Sequence, residues 1–504
     1  MSKIDYVIEV KMHKMIILGR GLYTPLYVLF LTVFITVTFF SPAFGITVKE
    51  EEELSKEFIR IMSRGFNFVD DPYIHDYVND VGKKLLKNMP PQPYEFEFYV
   101  VENKVYNAFA LPGGKIFIYT GLIEAMDSES ELAGILAHEI SHVICRHYSK
   151  NMEKAPLISA ASLAGLAAGV LLGAGGAGEA AQAVTMGTIA ASQSLQLSYS
   201  RDNEMQADQI GLTYLVKTGY DGEGLLKILK EIRTKDWYDE NQIPSYLRTH
   251  PAINDRIATI DTWLESRNNE EKETAKNNVE KNRKAFDMAK MRLLALYGDK
   301  DDVLNRFTAI VEKNPKDPLA NDALGLVKER MGNRKEAISH FQAAVKEKAL
   351  DPYFLIDLGK SYFLDGKYND AKDALEGGLS LVQEDFQGNF YLARTMLKLE
   401  NPTEAERIFD GLLADLKDYK TVYPMEQVYF FIGETKNALG KTGDAHFYLG
   451  HYYKIKRDLK TAMFHLKKAL EETTDKEKKD EINALLKEIT KDKNESESAS
   501  TRKQ

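Results

Sequence analysis

The pentapeptide His138-Glu139-Ile140-Ser141-His142 constrains this chain more than any other stretch, because its chemistry requires an α-helix. Residues i and i+4 share one helical face, so the imidazoles at 138 and 142 can grip one Zn²⁺ between them. Glu139, beside the first histidine, is then placed to take a proton from an attacking water. The flanking residues agree. Ser128-Glu129-Ser130-Glu131 reads as a capping box, and Leu132, Ile135 and Leu136 carry an apolar stripe into the motif.

A hydrolytic zinc site takes three protein ligands and keeps a fourth position open. The run Tyr199-Ser200-Arg201-Asp202-Asn203-Glu204-Met205-Gln206-Ala207-Asp208 opens another helical pattern through Ile210, Leu212 and Leu215. Glu204 and Asp208 share a face there. One carboxylate can bind metal while the other accepts the free N–H of a ligand histidine, and spacing alone leaves open which does which. The single cysteine, Cys145, excludes an intrachain disulfide and reads as a small packing residue rather than a thiolate ligand. His147 lies five residues past His142, about 140° around an ideal helix, and also reads as packing.

These segments together resemble the gluzincin metallopeptidase family of the CAAX prenyl endoprotease, closest to its periplasmic branch with C-terminal tetratricopeptide repeats. Asn107-Ala108-Phe109-Ala110-Leu111-Pro112-Gly113-Gly114, running into Lys115 to Thr120, resembles the family's strand–turn–strand. Thr249-His250-Pro251, followed by Arg256-Ile257, resembles its His-Pro segment. The resemblance implies one zinc per chain, held by His138, His142 and Glu204, with Glu139 as general base and Asp208 orienting a ligand histidine. A second group that stabilises the oxyanion is expected, for which His250 and Tyr199 are candidates. His250 is alternatively a cap on the open zinc position.

The 504 residues suggest two or three domains. Lys3, Lys11, Lys14 and Arg20 precede an apolar run from Leu26 to Phe40, and Ala43-Phe44-Gly45 is a small-residue cleavage site, so residues 1–45 read as a signal peptide. The alternative is an uncleaved anchor. Residues 46–266 form the expected metallopeptidase domain. Its alternating strand near 94–101 and the turn at Pro112-Gly113-Gly114 predict a small antiparallel sheet. If Val105 to Ala110 is its edge, then Asn107, Ala108, Phe109 and Ala110 can pair with a substrate added as another strand. Between Lys154 and Arg201 the only charged residue is Glu179. Residues 155–200 therefore predict an apolar hairpin beside the cleft in peripheral contact with membrane, or a transmembrane hairpin.

Residues 267–284 read as a charged linker. Beyond them Gly325, Gly332 and Ala337 recur 34 residues later as Gly359, Gly366 and Ala371; Ala393 and Ala405 keep the register, and after an insertion Gly433 with Ala445 and Gly450 with Ala462 resume the twelve-residue offset. Thirty-four is the tetratricopeptide period, so residues 285–488 predict a repeat solenoid with a concave binding face. Residues 489–504 read as a disordered tail.

The expected fold is thus an α+β zincin-like metallopeptidase domain, mainly helical, followed by an all-α tetratricopeptide solenoid. A net charge of −9 without basic tracts gives no support to nucleic-acid binding. The expected function is a periplasmic zinc endopeptidase in envelope protein quality control. It would cleave unfolded or misassembled envelope proteins, with the repeats binding clients or the assembly machinery. The outer-membrane-protein substrates come from the resemblance alone. The competing class is a chaperone or scaffold with minor proteolysis. Structural zinc fits poorly with three ligands and an adjacent base.

Overall fold

The structure, a computed structural model, describes residues 46–153, 199–236, 245–267, 269–415 and 425–501. The expected signal peptide, most of the expected apolar hairpin at 155–200 and the last three residues lie outside them. No helix among the described residues is long and apolar enough to cross a membrane.

The first helices are amphipathic and cover a small sheet. Helix α1 spans Val48–Gly65, and α2 spans Pro72–Leu86. The side chain of Asp71 caps α2 by accepting the Ile74 amide at 3.1 Å, with proline in the first turn, where a missing N–H costs nothing. Strands β1 (Glu97–Val101), β2 (Ala108–Leu111) and β3 (Lys115–Tyr119) pair in the order β1-β3-β2. The sheet is mixed rather than antiparallel throughout. Gly113 and Gly114, at φ 71° and 81°, fold β3 back on β2, with Ala108 opposite Ile118. That leaves β1 the other edge of β3, where the chain direction makes the pair parallel. Strand β2 is therefore the edge on its side of the sheet.

After α3 (Thr120–Ala125) comes α4 (Glu129–Ile144), whose residues 129–143 are all buried; a helix enclosed on every side is the centre of its domain. Neither bond of the expected capping box forms. Ser128 Oγ donates to Glu131 at 3.0 Å, and the other oxygen of Glu131 accepts the Asp127 amide instead. Next in the chain are α5 (His147–Glu153), α6 (Arg201–Lys217), α7 (Glu223–Asp236), α8 (Ser245–Thr249) and α9 (Ile253–Glu265).

The expected linker is helical and continuous with the first residues of the repeat region. Helix α10 runs from Asn269 to Tyr297, and its Phe286 and Leu293 join the same buried cluster as Leu132, Leu136 and Ile140 of α4. Asn278 and Asn282 donate to the Gly219 carbonyl and to Glu129, both at 2.8 Å. Charged composition signalled exposure, but one face of α10 belongs to the core built around α4.

The remaining helices stack as a tetratricopeptide solenoid: α11 (Lys300–Lys313), α12 (Pro318–Arg330), α13 (Arg334–Glu347), α14 (Pro352–Leu364), α15 (Tyr368–Leu379), α16 (Phe386–Lys398), α17 (Pro402–Asp415), α18 (Met425–Ala438), α19 (Thr442–Ile455) and α20 (Leu459–Glu472). Small residues recur because helices cross closely: a Cβ on Gly325 would stand 2.6 Å from the Phe341 ring. Seven residues after each such position the chain turns through left-handed backbone. Gly332 (φ 81°) and Gly366 (φ 80°) do so, as does Glu400 (φ 57°), where no glycine marks the turn. The tail expected to be disordered continues α21 (Lys476–Thr501), and Ile489 is buried on its neighbours.

The two parts meet through buried charge. Arg292 of α10 donates from Nε to Asp71 (2.8 Å) and from Nη2 to Asp357 of α14 (3.0 Å), linking the α2 cap to the repeats. Tyr73 and Tyr353 meet edge-to-face beside it at 4.4 Å. Asp322 is buried here too, and desolvation with the neighbouring Asp357 pushes its carboxyl well above the ordinary range. Burial likewise raises Asp385, the α16 cap, to about 6, although the Gly388 amide and Arg292 oppose the shift.

Because Asp385 titrates higher in the folded state than in the unfolded chain, its stabilising contribution is full below about pH 4 and lost as pH rises through about 6. Asp385→Asn keeps the cap and should raise Tm by several degrees near pH 8 while changing little near pH 4, as thermal melts would report. A fragment ending at Arg267 would lack Phe286 and Leu293. It should melt lower and less cooperatively than one ending at Asp299, by several kcal/mol for two large buried side chains; equal denaturant midpoints would contradict this.

Candidate metal centre

Helix α4 brings His138 and His142 to one face, both fully buried. Helix α6 crosses it closely. A Cβ on Gly211 would lie 3.2 Å from the backbone of Ala137 and His138, so only glycine lets the helices approach this far. That approach carries Glu204 and Asp208 to the histidines. Ser200 caps α6 in a reciprocal box with Asn203, which fixes where the helix begins relative to Tyr199.

The donor atoms converge. His138 Nε2 lies 3.0 Å from His142 Nε2 and 3.5 Å from Glu204 Oε2, and His142 Nε2 is 3.4 Å from Glu204 Oε1. His250 enters from another element: its Nδ1 is 3.4 Å from His138 Nε2 and 3.2 Å from Glu204 Oε1. All four ligand atoms lie within 4.8 Å of one another. Donors about 2.05 Å from a tetrahedral zinc stand about 3.3 Å apart, so the set fits that ion in composition and spacing. Buried His250 Nε2 has no hydrogen-bond partner, and buried Glu204 Oε2 makes none either, being met only by charge.

The surroundings orient these groups. Asp208 lies 2.8 Å from Nδ1 of His138, the ring nitrogen turned away from the convergence point. His147 does the same for His142: its Nδ1 is 3.0 Å from His142 Nδ1, and its Nε2 is 2.9 Å from Gln206. The packing role expected of His147 is therefore incomplete. The ideal-helix angle fails because α4 ends at Cys145 and Arg146 takes left-handed backbone (φ 54°), which swings the next residue back towards the site. Cys145 is half-buried and points to no ligand set among the described residues. Tyr199 stacks on His142 at 3.8 Å between centroids, and Tyr246 on His250 at 4.4 Å.

Arg256, read in the sequence only beside the His-Pro segment, is the residue given no role there. It is fully buried on α9, and its Nε and Nη2 donate to the two oxygens of Asp208 at 2.7 and 2.8 Å. Its Nη1 lies 2.7 Å from Glu204 Oε2. Pro251 biases His250 away from helical backbone, ending α8 at Thr249, and Ala252 (φ 62°) turns the chain into α9. The His-Pro segment thus delivers His250 and Arg256 to the same few ångströms.

This nest sets the electrostatics of the site. Burial drives His142 well below the ordinary imidazole range, leaving it neutral as a ligand must be. Burial opposes charge on Glu204, but His250 and Arg256 outweigh it and hold the carboxyl well below its usual range. Burial and Arg256 disfavour a proton on His138, yet Asp208 and Glu204 prevail and push it up to about 9; positive charge is favoured at this point. Burial raises Glu139, whose two oxygens have no hydrogen-bond partner and whose Oε1 lies 3.6 Å from His250 Nε2. Asn107 to Ala110 are buried along β2, the strand that packs against α4.

Residues 70–264 match the family described as Peptidase family M48. The chain is 29% identical over 324 residues to the beta-barrel assembly-enhancing protease of Yersinia pestis, covering 64% of this chain and 63% of that one. It is 33% identical over 212 residues to the putative beta-barrel assembly-enhancing protease of Vibrio cholerae, covering 42% and 43%. The Escherichia coli beta-barrel assembly-enhancing protease is 26% identical over 387 residues, with 74% and 75% covered. The chain therefore spans less than two thirds of the length of the first two relatives.

The crossing at Gly211 gives a test that touches no ligand. Gly211→Ala must separate α4 from α6 by a few tenths of an ångström, and should lower zinc affinity by about tenfold, the low end for changes that disturb ligand orientation. Competition against a chelating dye would measure it.

Proposed function

We propose that this chain, a metallopeptidase whose residues 70–264 carry the family M48 domain, is a zinc endopeptidase that cuts unfolded or misassembled proteins of the cell envelope, outer-membrane proteins among them. The observation that carries the reading is the convergence of His138, His142, Glu204 and His250 within 4.8 Å, with Glu139 beside them. A zinc ion held there by His138, His142 and Glu204 would polarise the scissile carbonyl and acidify water.

The chain's own residues do the rest. Glu139, buried and without a hydrogen-bond partner, takes the proton of the attacking water and passes it to the leaving amine. Asp208 holds the ring of His138, and Arg256 holds Asp208. Strand β2, with Asn107 just before it, is an edge of the sheet but buried here, so an extended substrate would pair with its backbone, with loose sequence preference, once that edge is uncovered. His250 acts as a cap: its Nδ1 stands among the ligand atoms, where a substrate carbonyl would otherwise approach, so the resting enzyme is restrained.

The envelope setting is supported by the relatives' names and by the signal-like pattern of residues 1–45. A periplasmic location accords with both, with the repeats holding clients or outer-membrane assembly partners and residues 155–200 in peripheral contact with membrane.

Glu139→Gln should retain zinc by elemental analysis and lose cleavage of an unfolded substrate; undiminished cleavage would remove Glu139 as the base. His250→Ala should cleave faster than the parent chain and show self-cleavage on gels. A fall of about 100-fold would instead make His250 an oxyanion donor, and an unchanged rate would reject both roles.

A further inference from the structure

Arg394, on α16, is half-buried, and its environment is unlike those of the buried arginines. Arg256 and Arg292 each face two carboxylates. The Arg394 guanidinium lies instead among aromatic rings, 4.6 Å from the centroid of Phe363, 5.3 Å from Phe390, 5.1 Å from Tyr391 and 4.3 Å from Phe431. Its Nε is buried without a hydrogen-bond partner, and no ion pair reaches it among the described residues. A charge set against ring faces is attracted to them, and the Tyr391 hydroxyl adds one polar partner, but the rings leave the buried Nε unmet.

The rings come from α14, α16 and α18, the first helices of their pairs in the repeat register, so Arg394 lies on the face these helices share. In a repeat solenoid that is the inner, ligand-holding face. Lys360 occupies the same register position 34 residues earlier, 5.9 Å from the Tyr391 ring, but Glu329 already pairs with it at 3.1 Å. On α18, Glu434 acts on Arg394 through space without an ion pair. The face therefore has unmet demand for one negative charge and little tolerance for more, and the chain's net charge of −9 works against polyanions.

We propose that this face grips the free C-terminal carboxylate of an extended polypeptide, held by Arg394, with its last apolar or aromatic side chain against the surrounding rings. A chain end brings one carboxylate directly beside one side chain, so guanidinium and ring wall are met together. An internal Asp or Glu would have to lead backbone past the cage on both sides. The proposal extends the reading of the repeats as a client-holding surface, and it is tested by binding, independently of cleavage.

The experiment uses the full chain carrying Glu139→Gln, so that the probe stays intact. Fluorescence anisotropy compares a labelled apolar peptide ending in phenylalanine as the free acid with its C-terminal amide. The acid should bind about tenfold tighter or better, the scale of one charge-assisted contact. Arg394→Gln should abolish that difference, and Glu434→Gln should tighten the acid a few-fold by removing a competing charge. Equal binding of acid and amide overturns the proposal, as does discrimination that survives Arg394→Gln. An amidated peptide with an internal aspartate that binds as tightly as the acid overturns the choice of a chain end. Should Arg394→Gln fail to fold, the acid–amide comparison and Glu434→Gln still decide.

Discussion

The buried guanidinium of Arg256 is the contact on which the catalytic half of the molecule depends. Removing such a charge from water costs several kcal/mol, and it is tolerated only when carboxylates and hydrogen bonds meet it in good geometry. Asp208 meets it with two hydrogen bonds at 2.7 and 2.8 Å, and Glu204 with an ion pair at 2.7 Å. Those same carboxylates face the histidines of α4. One side chain thus ties α9 to α6, and α6 to α4, at the point where ligand geometry matters. A lysine offers a single compact charge and cannot span both carboxylates as a planar fork does. The His-Pro segment and α9 also place His250 and Arg256 together, so a movement of His250 away from His138 and Glu204 would strain the Arg256 contact that orients them.

How much of this was legible in the sequence depends on whether a feature repeats locally. The i, i+4 histidines, the helix around them and the 34-residue register could all be read directly, because a single helix or a single period generates them. The choice between Glu204 and Asp208 could not be read from spacing, since both lie on one face; only resemblance separated them. In the structure, Glu204 faces three imidazoles and Asp208 the outer nitrogen of one. His147 was misread because an ideal helix was extended through Arg146, where the backbone turns left-handed. Arg256 was legible only as part of the His-Pro segment, without a role, since nothing local distinguishes a buried arginine from a solvated one. The mixed sheet escaped notice for a related reason: β1 pairs with β3, and the turn at Gly113-Gly114 specifies only the β2–β3 partner.

The boundary between the two parts shows the same limit in energetic terms. Composition separated a charged stretch from an apolar one, and a charged stretch reads as solvated. A helix needs only one apolar face to be part of a core. Helix α10 supplies Phe286 and Leu293 to the protease, and Leu294 and Ala295 to the first repeat cluster, from adjacent positions around its axis. Arg292 adds a buried ion pair in each direction. The helix belongs to both parts at once.

That sharing bears on how the parts work together. A flexible tether lets a binding module present its cargo over a broad range of positions, and the gain in local concentration falls as the tether lengthens. Here the connection is a helix fixed by packing on both sides, so the inner face of the repeats holds a set position relative to β2 and the metal centre. A polypeptide held by its end on the repeats would meet the cleft at a distance determined by the fold rather than by chance. The length of the client between held end and scissile bond would then select what is cut, without any demand for a particular sequence at the cleavage point.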